Sequence, residues 1–159
     1  MQEMPSLLWK TKPFHQLNVF ELHAIYKLRQ EVFVVEQECA YLDADGQDQF
    51  AIHVFGVDDD GKVMVYCRVI PPENRMGEAI IGRVATHPSI RHQGIGKQVM
   101  QKAFKLIDDQ YGKISILIDA QYYLKVFYEE LGFIQQGDIF DLDGIAHIRM
   151  KKEVNSLVS

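Results

Sequence analysis

The sequence predicts an α/β (α+β) fold: a single domain over residues 1–159, with a central, mostly antiparallel sheet flanked by helices. Three observations carry this expectation. Two strand-like runs, Ala51–Val57 and Lys62–Ile70, are joined by Asp58-Asp59-Asp60-Gly61, and an Asp-Gly pair between such runs is a strong hairpin signal. A third run, Ile80–Thr86, leads through a glycine-containing loop into a helix-like stretch, Lys97–Ile107. A second Asp-Gly pair, Asp143-Gly144, separates two more strand-like runs near the end of the chain. With 159 residues, 47% of them hydrophobic, the chain can bury a substantial core.

The elements follow in order. Phe20–Phe33 reads as a helix, because Leu22, Ile25, Tyr26, Leu28, Arg29 and Val32 recur near three/four spacing. Glu36–Gln49 is polar and acidic and reads as a loop with short helical pieces. Pro71-Pro72-Glu73-Asn74 ends the second strand. In Lys97–Ile107, Val99, Met100, Ala103, Phe104 and Ile107 form one apolar face. Ile114–Ile118 is a near-continuous apolar run, the pattern of a strand covered on both faces. Gln121–Leu131 reads as a helix closed by Gly132, after which Phe133 packs back. Ile134–Leu142 and Ile145–Met150 form the last hairpin. The order is helix, three antiparallel strands, helix, strand, helix, hairpin, which is a sheet layered with helices.

Bulk properties narrow the function classes. The net charge is -5 and the pI about 5.6, which does not favour a nucleic-acid partner. Cys39 and Cys67 make no disulfide framework and no CxxC motif, so reduced thiols are expected. Met1–Lys10 lacks a basic start followed by an apolar stretch, so no signal peptide is expected. No run reaches the roughly 18 apolar residues of a membrane span. A cytoplasmic location without a membrane partner is the expectation. His15, His23, His53, His87, His92 and His147 show no HxxxH or Cys/His spacing, so no metal is expected.

The stretch Arg91-His92-Gln93-Gly94-Ile95-Gly96 lies between the third strand and its helix. Amides at a helix N-terminus have no internal acceptor, and the dipole there favours negative charge. Glycines let the backbone close on a ligand. Such a loop seats a phosphate or pyrophosphate. The third glycine of a dinucleotide fingerprint and its leading βαβ context are missing.

Arg91-x-x-Gly94-x-Gly96 after a strand, followed by Phe127-Tyr128-x-x-Leu131-Gly132-Phe133, resembles the GNAT acyl-CoA N-acyltransferase superfamily. The remainder is similar to its ElaA-like branch: Leu28-Arg29, Val32-Phe33-Val34-Val35-Glu36-Gln37, Tyr41, Asp45, Asp48, His53, Gly82-Arg83-Val84 and Asp143-Gly144-Ile145-Ala146-His147-Ile148. The resemblance covers nearly the whole chain. It implies a GNAT fold and an acetyl-CoA-dependent N-acetyltransferase acting on an amine of a small molecule or peptide. It implies that the backbone of Val84, Ala85 and Thr86 pairs with the pantetheine arm. The loop from Arg91 would hold the pyrophosphate through the amides of His92, Gln93, Gly94, Ile95, Gly96 and Lys97. Tyr128 matches the tyrosine that protonates the leaving thiolate in many members. Gln121 stands where many members carry an asparagine, with the same amide groups on a longer stem. Many relatives dimerise, and the last hairpin could supply an edge for a homodimer.

That chemistry sets three tasks. The carbonyl oxygen needs fixed donors, expected near Val84, the thiolate needs a proton, which Tyr128 could give, and the ammonium must lose a proton before it can attack. Glu36, Asp45, Asp48, His53, Glu78 and His87 are candidate bases, with a water chain as the alternative. Tyr128 also reads as a half-buried helix aromatic, with Phe127, on the face of Tyr123 and Leu131, the better core residue. Arg29, Glu36, Asp45 and Asp48 read either as lining the acceptor pocket or as a salt-bridged face. Arg83 is expected to pair with a carboxylate or to face the cleft, because unpaired burial is costly. Two other functions compete. Acyl-homoserine-lactone synthases share this fold and have loosely similar arginine, aromatic and acidic positions, but usually lack the pyrophosphate loop. A CoA-binding regulatory module without chemistry is the third reading.

Overall fold

Residues 5–74 and 77–153 are described by the structure, a computed structural model; the expected domain span of 1–159 runs past them at both ends. The strands are β1 (Leu8–Pro13), β2 (Ile52–Val57), β3 (Val63–Ile70), β4 (Ala79–Thr86), β5 (Ile116–Gln121), β6 (Ile134–Gln135), β7 (Phe140–Leu142) and β8 (Ile145–Lys152). The helices are α1 (Val19–Arg29), α2 (Ile95–Tyr111) and α3 (Lys125–Glu130). All strands join one sheet of order β1-β2-β3-β4-β5-β8-β6, with β7 also paired to β8. Pairing is antiparallel except between β4 and β5, whose crossover is α2.

β2 and β3 are buried along their whole length because helices cover both faces. Alternate residues go to opposite sides. Phe55, Val57 and Tyr66 pack with Ile25, Leu28 and Val32 on the α1 side. Val54, Val65, Cys67 and Val69 pack with Val99, Met100, Ala103 and Ile107 of α2. Each Val, Leu, Ile or Met fully buried there contributes about 1.5–3 kcal/mol. The turn between these strands is as expected: Gly61 has φ +82, and Asp58 Oδ1 accepts from the Asp60 and Lys62 amides.

Four local expectations are corrected, and one strand has no counterpart among the expected elements. β1 was not foreseen, because a half-exposed edge strand with Lys10 and Lys12 carries no apolar alternation. The first helix does not run regularly to Phe33: α1 ends at Arg29 and a π-helical turn, Gln30–Glu36, follows. β5 is not covered on both faces, since Ile116, Ile118 and Ala120 are buried while Asp119 is exposed. The next helix does not begin at Gln121, which ends β5; a 3₁₀ turn, Tyr122–Leu124, precedes α3. The first arm of the last hairpin is broken into β6 and β7 around Gly137, which has φ +91.

α1 starts with a reciprocal cap. The Glu21 amide donates to Asn18 Oδ1 at 2.8 Å, and the Asn18 amide donates to Glu21 Oε1 at 3.1 Å. Gly132 closes α3 at φ +98 as expected. Its amide donates to the Glu129 carbonyl, and the Phe133 amide donates to that of Tyr128.

Candidate active site

β4 and β5 pair only at Ala79↔Ile116 and Ile80↔Leu117. β4 continues to Thr86, and β5 continues to Gln121 against β8 instead. The two strands therefore part, and among the described residues the β4 edge from Ile81 to Thr86 has no strand on its β5 side. Val84, Ala85 and Thr86 lie on this edge. Opposite, Tyr66 pairs with Ala85 and Arg68 with Gly82, so Cys67 faces both Arg83 and Val84. That is a β-bulge, and Arg83 has φ +52.

At the end of β4 the chain turns into the glycine loop. His92 has φ +64 and Gly94 has φ +79, the latter as N-cap of α2. No backbone acceptor among the described residues meets the amides of Ile95, Gly96 and Lys97. A Cβ on Gly94 would meet nothing within 4 Å, so its glycine answers to φ and not to space. One on Gly96 would lie 3.6 Å from Thr86 Oγ1 and from Phe127. His92 and Lys97 are exposed, and Gln93 is half-buried.

Arg91 is already engaged. Its Nε donates to the Thr86 carbonyl at 3.0 Å, and its terminal nitrogens donate to Glu36 at 2.5 and 2.6 Å. Those bonds from Arg91 hold the Glu36 carboxyl below its usual range, against a smaller upward push from burial. The next residue, Gln37, exchanges two amide hydrogen bonds with Gln121, at 3.1 and 3.0 Å. Consecutive residues thus tie the π-helical turn to the loop after β4 and to the end of β5.

Tyr128 is 4% exposed and Phe127 only partly buried, the reverse of the expectation from spacing. The 3₁₀ turn before α3 is tighter than an α-helix, so counting faces from Tyr123 gave the wrong phase. Phe127 and Phe133 meet the Tyr128 ring edge-on at 5.0 and 5.9 Å. Its hydroxyl makes no hydrogen bond to a described residue and is not fully sealed, unlike Asp48 Oδ2 and Arg68 Nε. Burial, then the neighbouring Cys67, pushes the phenol well above its ordinary pKa. Cys67, opposite the bulge, is itself pushed up to about 12 by burial.

The acidic loop folds onto three arginines. Arg29, 0% exposed, donates from Nε to Asp43 and from Nη1 to Asp48, at 2.9 and 2.7 Å. Arg68 holds Asp45 at 2.6 and 2.9 Å and Asp48 at 3.0 Å. Arg83 donates to Asp43 at 2.9 Å and to Asp45 at 3.2 Å, as its predicted pairing required. Burial pushes the Asp45 carboxyl up, but Arg68, the Gln47 amide and Arg83 together hold it at about 2. Arg29 and Asp48 sit inside this sealed network and do not reach an open surface; Asp45 and Glu36 do.

The other candidate bases are also occupied. His53 is 0% exposed, between the Tyr66 hydroxyl and the Asp48 carbonyl, and burial lowers its pKa. Glu78 lies at the opposite end of β4 and pairs with Lys151. His87 contacts Ser89, and burial followed by Lys62 lowers its pKa. Asp43 and the position of Gln37 were missed as site residues. The alternation Tyr41-x-Asp43-x-Asp45 was the available signal for Asp43. Among the described residues no group of three or more His, Cys, Asp or Glu could hold a metal. No described helix is long and apolar enough to cross a membrane.

A family model described as "Acetyltransferase (GNAT) domain" matches residues 25–154. The chain is 39% identical over 142 residues to UPF0039 protein sll0451 of Synechocystis sp., covering 89% of this chain and 92% of that protein. It is 33% identical over 148 residues to Protein ElaA of Escherichia coli, covering 92% and 96%. The ElaA crystal structure superposes with a TM-score of 0.87 over 93% of this chain and 100% of that one, at 31% identity. An acyl-CoA N-acyltransferase from Pseudomonas aeruginosa superposes with a TM-score of 0.88, at 34% identity over 92% and 99%.

Proposed function

The chain belongs to the GNAT acetyltransferase family, and from that premise we propose that it moves the acetyl group of acetyl-CoA to an amine of a small molecule or peptide. The observation that carries the reading is the parting of β4 from β5 beside the uncapped N-terminus of α2. One leaves a free strand edge for an amide-bearing arm; the other leaves free amides for an anion. Pantetheine has the first chemistry and pyrophosphate the second.

In this reading Val84, Ala85 and Thr86 pair with the pantetheine, and the amides from His92 to Lys97 hold the pyrophosphate. Arg91 stands beside them, and Gln121 offers its amide at the β5 side. The neutral amine attacks the thioester carbon, and the charge that develops on oxygen meets the backbone donors at the bulge. The C–S bond breaks as the C–N bond forms. Tyr128, kept protonated by its raised pKa, gives its proton to the thiolate. The candidate carboxylates are ion-paired and His53 is sealed, which leaves His87 or a water chain to carry away the amine's proton.

The intact glycine loop favours this reading over a synthase that takes its acyl group from a carrier protein. Thermal unfolding with and without acetyl-CoA tests it, with ATP and NAD as controls. Acetyl-CoA at a hundred times its dissociation constant should stabilise by about 2.7 kcal/mol. No shift at millimolar concentration would remove the acetyl-CoA reading. A selective shift without CoA release on any amine would leave the regulatory module.

A further inference from the structure

Arg83 has positive φ, at +52, and is the only such non-glycine residue inside a strand among the described residues; Glu38, His92 and Asp143 lie in turns. A side chain there is strained, and strain persists only where the surroundings over-determine it. Among the described residues, no strand pairs with the bulge on its β5 side. What fixes it is the guanidinium. Nε donates to Asp43 Oδ1 at 2.9 Å, and Nη2 donates to the Asp43 carbonyl and to Asp45 Oδ2, each at 3.2 Å. The group also lies over the Tyr41 ring at 5.5 Å.

The anchor is rigid in turn. Asp43 is 5% exposed, and its other oxygen is held by Arg29. Asp45 is held at both oxygens by Arg68. Three guanidinium groups meet three carboxylates, so the cluster is charge-balanced and acts through position more than through field. It joins the acidic loop to the residue immediately before Val84.

We propose that Arg83 is a positioning residue: held on Asp43 and Asp45, its guanidinium locks the β4 bulge so that the backbone at Val84 polarises the acyl donor's thioester carbonyl. The inference rests on the acetyl-transfer reading above.

The test needs no acceptor. Acetyl-CoA labelled with ¹³C at the carbonyl is bound to the protein, and its C=O stretch is read by difference infrared spectroscopy. Calorimetry measures binding in parallel. The wild type should move the stretch to lower wavenumber than free acetyl-CoA. Arg83→Gly tolerates the backbone but lacks the tether; Arg83→Lys keeps the charge without the fork. Both should bind acetyl-CoA within about threefold of wild type. The glycine variant should lose most of the shift and the lysine variant at least half. A wild-type band in either variant overturns the proposal, as does a wild-type complex with no shift. Variants that no longer bind the donor also overturn it, since Arg83 would then hold the site as a whole. Failure of the wild type to bind acetyl-CoA instead removes the acetyl-transfer reading, and this inference with it.

Discussion

Glu36 and Arg91 form two parallel hydrogen bonds, 2.5 and 2.6 Å long, across 55 positions of sequence. A carboxylate thus occupies the guanidinium nearest the free amides of α2. On the acetyl-CoA reading proposed above, pyrophosphate and Glu36 would compete for Arg91, and Glu36 would also repel the incoming charge. Glu36→Gln should tighten CoA binding about three- to tenfold by calorimetry. An acetyl donor truncated before its phosphates should show no gain. Weaker CoA binding in the variant would mean that Glu36 presents Arg91 to the ligand.

Tyr128→Phe removes an oxygen that bonds to no described residue. Its stability should stay within about 0.5 kcal/mol of wild type. Turnover should fall about a hundred- to ten-thousand-fold with donor affinity unchanged. Unchanged turnover would remove Tyr128 as the acid. Tyr128→Ala, by contrast, empties a core site against Phe127 and Phe133 and should cost about 3–5 kcal/mol.

The two loop glycines should separate backbone strain from ligand approach. Gly94→Ala places a Cβ at φ +79 and should cost about 1–2 kcal/mol in chemical denaturation. Gly96 is helical with only ordinary contacts at 3.6 Å, so Gly96→Ala should be neutral or stabilise by up to about 1 kcal/mol. Gly96→Ala should weaken CoA binding by crowding the amides. A Gly96→Ala protein with unchanged CoA affinity would place the phosphates elsewhere.

Arg29→Ala leaves Asp43 and Asp48 buried without their shared cation. Breaking a buried pair in this way costs about 3–5 kcal/mol, which a urea midpoint would reveal. A loss under 1 kcal/mol would show that the acidic loop rearranges to find other partners.

Glu21 joins the α1 cap to Lys10 and Lys12 of β1. Burial raises its pKa, but Lys10, the Asn18 amide and Lys12 bring it down to about 2, from an ordinary value of 4.5. A depressed carboxyl stabilises above its unfolded pKa and loses that contribution as pH falls through the folded value. Glu21→Ala should cost about 1–2 kcal/mol at pH 7. The gap between variant and wild type should close between pH 4.5 and 2. A gap independent of pH would assign the effect to packing.

Local chemistry was legible in the sequence where one short segment decides its own conformation. Asp58–Gly61 needs a positive φ at its glycine and Gly132 stops a helix, each whatever surrounds it, whereas α2, expected from Lys97, opens at Ile95 after Gly94. The two superfamily motifs lie in the loop at Arg91 and around Tyr128, and the residues similar to the ElaA-like branch run through nearly the whole chain. What the sequence could not determine depends on partners far along the chain. β1 is a strand because β2 offers it an edge. Tyr128, and not Phe127, is buried because the turn before α3 is tightened. Arg29 and Asp48 lie in the interior because Asp43 and Asp48 of the acidic loop close on Arg29, and Arg68 of β3 reaches Asp48 as well. Charge pairs between distant segments have no period and no spacing, so only the assembled sheet selects which carboxylate each guanidinium meets.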